Sequence, residues 1–217
     1  MAHPPFNPLD KRNLGESVSN ALLERPVGPL LPEERFPGAG IYAIYYAGEF
    51  DAYAPIAARN RRGHFEQPIY VGKAVPPGAR KGGFGLGAAP GFALCQRLRE
   101  HSNSIEQARN LQVADFHCRY LISDDIWIPL GESLTIERFQ PIWNVVLDGF
   151  GNHPPGGGRQ RQERSRWDAV HPGRPWADVL PPHHQTSREL LLLVREFLAG
   201  RRGPILTPQQ AVTEEEE

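Results

Sequence analysis

The chain has 217 residues, enough for one domain with its own core plus an appendage, and 40% of them are hydrophobic, as in a soluble globular protein. Two cysteines, Cys95 and Cys118, exclude a disulfide framework and a cysteine-rich zinc site. No run is long enough to cross a bilayer, and Met1-Ala2-His3-Pro4-Pro5 lacks a signal pattern, so a cytoplasmic, reducing location is expected. The formal net charge is −1, but its distribution is uneven. From Arg59 to Arg109 nine positive residues stand against three negative ones, an excess of six, while Glu214–Glu217 make an acidic tail. Such an internal basic block suits a polyanionic partner.

Residues 1–37 read as an N-terminal arm, with one helix over Ser17–Glu24 ended before Pro26, and with a packing or subunit-contact role. Gly40–Tyr46 and Ile69–Lys73 are rich in β-branched and aromatic residues and are bounded by turn formers, which predicts two short strands. Side chains alternate along a strand, so Tyr42 and Tyr70 can project from neighbouring strands toward one site. The segment between them carries Arg59, Arg61, Arg62 and His64 and reads as a basic loop. Ala74–Pro90 holds Arg80, Lys81 and a glycine-rich run, which reads as a loop able to approach a phosphate backbone and does not fit a dinucleotide fingerprint.

Gly91 to about Ala108 has an apolar stripe of Phe92, Cys95 and Leu98 and predicts a helix, with Arg97 and His101 one turn apart on an adjacent face. Gln112–Ser123 alternates and predicts a third strand, in which His117 reads as structural. In a helix over 128–140, Glu132, Ile136, Phe139 and Trp143 follow one stripe, so Glu132 faces the body of the protein. A carboxylate there is costly unless it is paired or binds a metal. Glu137 points to the surface, Pro141 ends the helix, and Asn144 follows in a turn.

Gly149–Gly158 reads as a Gly/Pro linker. Arg159, Arg161, Arg164 and Arg166 then lead into a tryptophan-containing segment with Arg174, a pattern suited to phosphate contact, base-edge contact or stacking. His183-His184 has no ligand partner at suitable spacing and reads as a loop before a helix over Ser187–Ala199. The chain thus divides into an arm (1–37), a core (38–148), an extension for DNA or dimer contacts (149–206) and a disordered acidic tail (207–217).

Gly40-Ile41-Tyr42, Tyr70-Val71-Gly72, Arg97 and the spacing Glu132…Pro141…Asn144 together resemble the GIY-YIG nuclease family, with valine for isoleucine in the second half of the name motif. The resemblance spans roughly residues 38–146. The long glycine-rich insertion, His101 four residues after Arg97, the arginine-tryptophan extension and the long spacing between the name motifs are most similar to the family's type II restriction endonucleases that cut a GC-rich palindrome, such as CCGCGG.

That resemblance implies an α+β fold, a small three-stranded antiparallel sheet flanked by helices, with an arm, loop insertions and a C-terminal extension. It implies one Mg²⁺ per active site on Glu132, replaceable by Mn²⁺, and hydrolysis of both strands of DNA. It implies catalytic roles for Tyr42, Tyr70, Arg97, His101, Glu132 and Asn144: Arg97 on the scissile phosphate, Tyr42 or Tyr70 as the base for water, and His101 to orient or relay a proton. Lys73 is a phosphate ligand candidate. DNA contacts are expected from Arg59, Arg61, Arg62, Arg80, Lys81, Arg159, Arg161, Arg164, Arg166 and Arg174. Double-stranded DNA, a homodimer matching the palindrome and a cognate methyltransferase are the expected partners. The competing readings are a repair or mobile-element nuclease of the same fold and a DNA-binding module without catalysis.

Overall fold

The structure is a computed structural model that describes residues 7, 9–75, 91–155 and 161–206. Its centre is an antiparallel sheet of β1 (Gly28–Pro29), β2 (Gly40–Tyr46), β3 (Pro68–Ala74) and β4 (Phe116–Ile122), in the order β1-β4-β2-β3. The three expected strands are present. The fourth is a two-residue strand from the proline-rich stretch, pairing Gly28 with Cys118 and Pro29 with His117. Proline fits there because β1 is an edge, where a missing N–H breaks no ladder bond. β2 lies between two neighbours, and all seven of its residues are buried. This is the signature of a strand covered on both faces, and it explains the unbroken Gly-Ile-Tyr-Ala-Ile-Tyr-Tyr run.

One face is covered by α1 (Lys11–Leu23) and α4 (Ile128–Phe139). A Cβ on Gly131 would meet Ile41 at 3.1 Å and Val18 at 2.5 Å, so this glycine lets α4 lie close on both β2 and α1. α1 starts six residues before the expected Ser17. Asp10 caps it by accepting from the Arg12 N–H at 2.9 Å. Between the two helices, Thr135 donates to the Ser19 hydroxyl at 3.0 Å. The other face carries α3 (Ala93–Gln107), which buries Leu94, Leu98, His101 and Ile105.

The expected basic loop is largely helical. α2 (Ala54–Asn60) runs between 3₁₀ turns at Asp51–Tyr53 and Arg61–Gly63. Pro55 sits in its first turn, where its missing N–H is no loss, and two alanines follow. α4 ends with Gln140 in the left-handed region at φ 43°, and Pro141 then caps the short α5 (Ile142–Val145), so the proline starts a helix as well as ending one.

The C-terminal part forms α6 (Arg166–Val170), α7 (Pro175–Asp178) and α8 (Ser187–Leu198), the last opened by a Thr186–Glu189 capping box. Trp167, Val170, Leu190 and Val194 share one buried cluster with β2, Trp143 and Phe150. A polar chain crosses this cluster. Tyr53 Oη meets His171 Nε2 at 2.5 Å and accepts from the Trp143 indole N–H at 3.0 Å, while His171 Nδ1 meets Asn110 Oδ1 at 2.9 Å. Burial pushes His171 down to about 3, so the ring is neutral, with its proton on Nδ1 facing the amide oxygen. Cys95 and Cys118 are both buried free thiols, and burial raises the Cys118 thiol to about 12. Among the described residues no helix is long and apolar enough to cross a membrane.

Candidate active site

The strand register assembles the centre of the site. Tyr42 lies opposite Gly72 and Ile44 opposite Tyr70, so both tyrosines stand on one face, diagonal to each other, with ring centroids 6.2 Å apart. A Cβ on Gly72 would come within 2.5 Å of the Tyr42 hydroxyl and 3.0 Å of the Tyr70 ring. Glycine is therefore required here for space. α3 brings His101 over this pair, with its ring 5.3 Å from Tyr42 and 5.2 Å from Tyr70. Tyr42 Oη and His101 Nε2 are 2.6 Å apart. Burial, then the charge of Arg97, holds His101 well below the usual imidazole range, so the ring is neutral and its Nε2 lone pair accepts the tyrosine proton.

Arg97 lies one turn earlier on α3, and its guanidinium is held on three sides. Nη2 donates to the Gly151 carbonyl at 2.8 Å, and Nη1 meets His153 Nε2 at 2.6 Å and the Glu100 carboxylate at 3.3 Å. Phe150 stacks on the His101 ring with centroids 4.5 Å apart and planes 18° from parallel, and meets Tyr70 edge-on. The expected Gly/Pro linker is therefore, over its described part 149–155, a loop packed against the site. Phe150, Gly151 and His153 escaped the sequence reading because glycine and proline dominate that stretch; the aromatic between Gly149 and Gly151 was the available signal.

Glu132 is fully buried, and its Oε2 forms an ion pair with Lys73 Nζ at 2.9 Å. A carboxylate on the apolar stripe is thus paired, as its burial demands. Lys73 lies next to Gly72 on β3, the open edge of the sheet. Asn144 seals the same edge: Oδ1 accepts from the Val71 N–H at 2.9 Å and Nδ2 donates to the Val71 carbonyl at 2.8 Å. The amide thereby acts as one more rung of the ladder and joins α5 to the strand that carries Tyr70 and Lys73.

The expected DNA-contacting arginines and Lys81 fall into four groups. Arg59, Arg62 and Arg161 lie exposed on the surface. Arg61, Arg164 and Arg166 are engaged within the protein: Arg61 Nε donates to the Ala47 carbonyl at 3.0 Å, Arg164 Nη2 to the Asp178 carbonyl at 2.6 Å, and Arg166 to Asp148 at 3.0 Å. Arg174 is a correction. It is 1% exposed and bonded twice to Asp168 at 2.7 Å, so it braces the interior and presents no donor to DNA. Arg80, Lys81 and Arg159 lie outside the described residues, as does the acidic tail. His183-His184 does have a partner, because His184 Nδ1 meets Glu163 at 2.9 Å. Sequence spacing hid this contact, since Glu163 lies 21 residues away.

A family model described as the Eco29kI GIY-YIG domain matches residues 34–198. No curated protein matches the chain. The match runs from the approach to β2 through α8, so it takes in both tyrosine strands, Arg97, Glu132 and the C-terminal helices. The chain belongs to the Eco29kI GIY-YIG family, a family of type II restriction endonucleases, and is a DNA endonuclease.

Proposed function

We propose that this nuclease hydrolyses both strands of DNA at a palindromic, GC-rich site, with one Mg²⁺ in each active site. The observation that carries the reading is the 2.6 Å contact between Tyr42 Oη and the neutral His101, beside Tyr70 and above Gly72. In this reading Tyr42 takes the proton of the attacking water. Tyrosine is a poor base at its ordinary pKa near 10, so it needs help. His101 supplies an acceptor for the tyrosine proton. As the proton of water reaches Tyr42, the hydroxyl's own proton passes to His101 Nε2, and the depressed pKa of His101 makes that stay brief, so His101 both aims the hydroxyl and relays its proton. Tyr70, packed against the same histidine, positions water or phosphate, and Arg97 binds the scissile phosphate with a guanidinium charged at any working pH.

Glu132 fits the divalent cation that nucleases of this family use. It offers a hard oxygen donor, and its Oε2 already faces a cation, the Lys73 ammonium. A single protein carboxylate suits Mg²⁺, which completes its shell with water and phosphate oxygens. When bound there, the metal neutralises charge on the phosphate and its leaving oxygen. Lys73, beside Glu132, is the second phosphate contact, and Asn144 holds the Lys73 strand in place.

A palindrome read by one chain type calls for a homodimer, with each subunit cutting one strand. Arg59, Arg62 and Arg161 are the exposed candidates for base or backbone contact, and arginine suits guanine. A cytoplasmic location and a protecting methyltransferase complete the reading. The test is incubation with phage DNA in Mg²⁺, in Mn²⁺ and in EDTA. Discrete fragments with either metal and none with EDTA are expected, and sequencing of the ends gives the site. Single-strand nicks without defined ends would instead favour a repair or mobile-element role.

A further inference from the structure

We propose that His153 is a positioning residue for the nuclease reaction, acting as the neutral acceptor that aims Arg97. The proposal rests on the reading of Arg97 as the phosphate ligand. Arginine has only donors and keeps its charge, so in the 2.6 Å contact with Nη1 the His153 Nε2 must be the acceptor. His153 is then neutral, with its proton on Nδ1. The Gly151 carbonyl supplies a second acceptor two residues earlier in the same loop. Each fixes a different nitrogen of the guanidinium, so together they set its plane as well as its place.

An aiming device needs a rigid mount, and the loop has one. Arg174 donates to three of its carbonyls: Gly149 at 2.8 Å, Phe150 at 3.0 Å and Asn152 at 3.4 Å. Asp168 fixes Arg174 in turn, and Ser165 bonds the Asp168 carboxylate at 2.7 Å. Gly149 adopts φ +98°, and a Cβ there would strike Ser165 at 2.1 Å, so the loop lies directly on this support. Phe150, from the same loop, stacks on His101. One mount therefore serves both α3 side chains of the site.

The choice of histidine makes the arrangement sensitive to pH. Protonated His153 would set a cation against Arg97 and the contact would break. Among the described residues, the charged groups facing it include Arg97, which opposes protonation, and Glu100, whose carboxylate lies 4.0 Å away and favours it. Arg174 and the neutral His101 lie deeper, behind the loop. As pH falls and His153 gains a proton, Arg97 should lose its aim and turnover should drop.

The experiment compares His153→Ala, His153→Gln and, separately, Arg97→Ala, measuring kcat, KM and melting temperature from pH 5.5 to 8.5. His153 is half exposed, so both variants should melt within a few degrees of the parent. The alanine variant should lose about ten- to a hundredfold in kcat, the scale of a misaimed group. Glutamine offers an amide oxygen to Arg97 and does not titrate. It should recover most of the alkaline rate and flatten the acid limb. A His153→Ala enzyme with parental kcat, or a His153→Gln enzyme as impaired as the alanine variant, overturns the proposal. Arg97→Ala separates the two ideas: if it cleaves normally the phosphate reading fails, whereas an inactive Arg97→Ala beside a normal His153→Ala removes only the role of His153.

Discussion

Gly72→Ala isolates the packing of the two tyrosines. The added Cβ would sit 2.5 Å from the Tyr42 hydroxyl, 2.7 Å from its ring carbon Cζ and 3.0 Å from the Tyr70 ring. Ordinary contact begins near 3.4 Å, so the Tyr42 hydroxyl must retreat by about 0.9 Å, or β2 and β3 must part by a similar amount. Neither movement is cheap, because Tyr42 and Tyr70 are buried and ringed by His101 and Phe150. Overpacking of this kind costs about 1–3 kcal/mol. At roughly 2–4 °C per kcal/mol for a chain of this size, the melting temperature should fall by about 2–12 °C. Most of a typical 5–15 kcal/mol of stability survives, and the protein stays folded at 25 °C. The effect on cleavage should be larger, because a reacting group displaced by about 1 Å loses about a hundredfold in rate. The assay pairs thermal unfolding with single-turnover cleavage of plasmid DNA at 25 °C. A lowered melting temperature with a parental cleavage rate would show that the position of the Tyr42 hydroxyl does not matter, and the proposed base would have to be sought elsewhere.

Three further outcomes are expected. Glu132→Gln should abolish cleavage while DNA affinity in a gel shift stays near the parental value; a cleaving variant removes Glu132 as the metal ligand. Stability should fall in acid: His171 has its pKa lowered from 6.5 to about 3 by folding, so its contribution is complete above pH 6.5 and is lost, at roughly 1.4 kcal/mol per pH unit, as pH drops toward 3. His171→Gln should show a shallower melting-temperature decline between pH 6.5 and 4.5, and an unchanged slope would mean that another group controls acid unfolding. DNA affinity should fall steeply with salt, and Arg62→Ala should reduce the log–log slope by about 0.9, the share of one phosphate; an unaltered slope takes Arg62 off the DNA surface.

The strands were legible because their chemistry is local. β-branched and aromatic residues between turn formers marked β2 and β3, and alternation alone brought Tyr42 and Tyr70 toward one site. Glu132 was legible for a similar reason, since helical spacing placed a carboxylate on an apolar stripe, and its burial against Lys73 follows. What escaped depends on contacts between distant residues. The role of Gly72 needs the register that sets it opposite Tyr42. Residues 149–155 carry the composition of a linker, and nothing local shows that Arg174, more than twenty residues on, holds them down. Arg174 itself reads as a DNA contact because a sequence displays charge and hides burial. Its partner Asp168 lies six residues away, at no helical spacing that would suggest a pair.

The same contacts change what the C-terminal part is for. Read along the chain, it is a basic extension appended to a nuclease core. In three dimensions Trp167, Val170, Leu190 and Val194 complete the hydrophobic cluster that surrounds β2, and Arg174 fixes the loop that meets Arg97 and His101. Burying an arginine costs several kcal/mol unless nearly every N–H finds an acceptor. Here it is met by a carboxylate and three backbone carbonyls of one short loop. A hydrophobic side chain could fill the volume, but it could not hold three carbonyls in register. The geometry of Arg97 therefore depends on a charge buried behind it, supplied by residues that a motif-based boundary at 148 would have left outside the core.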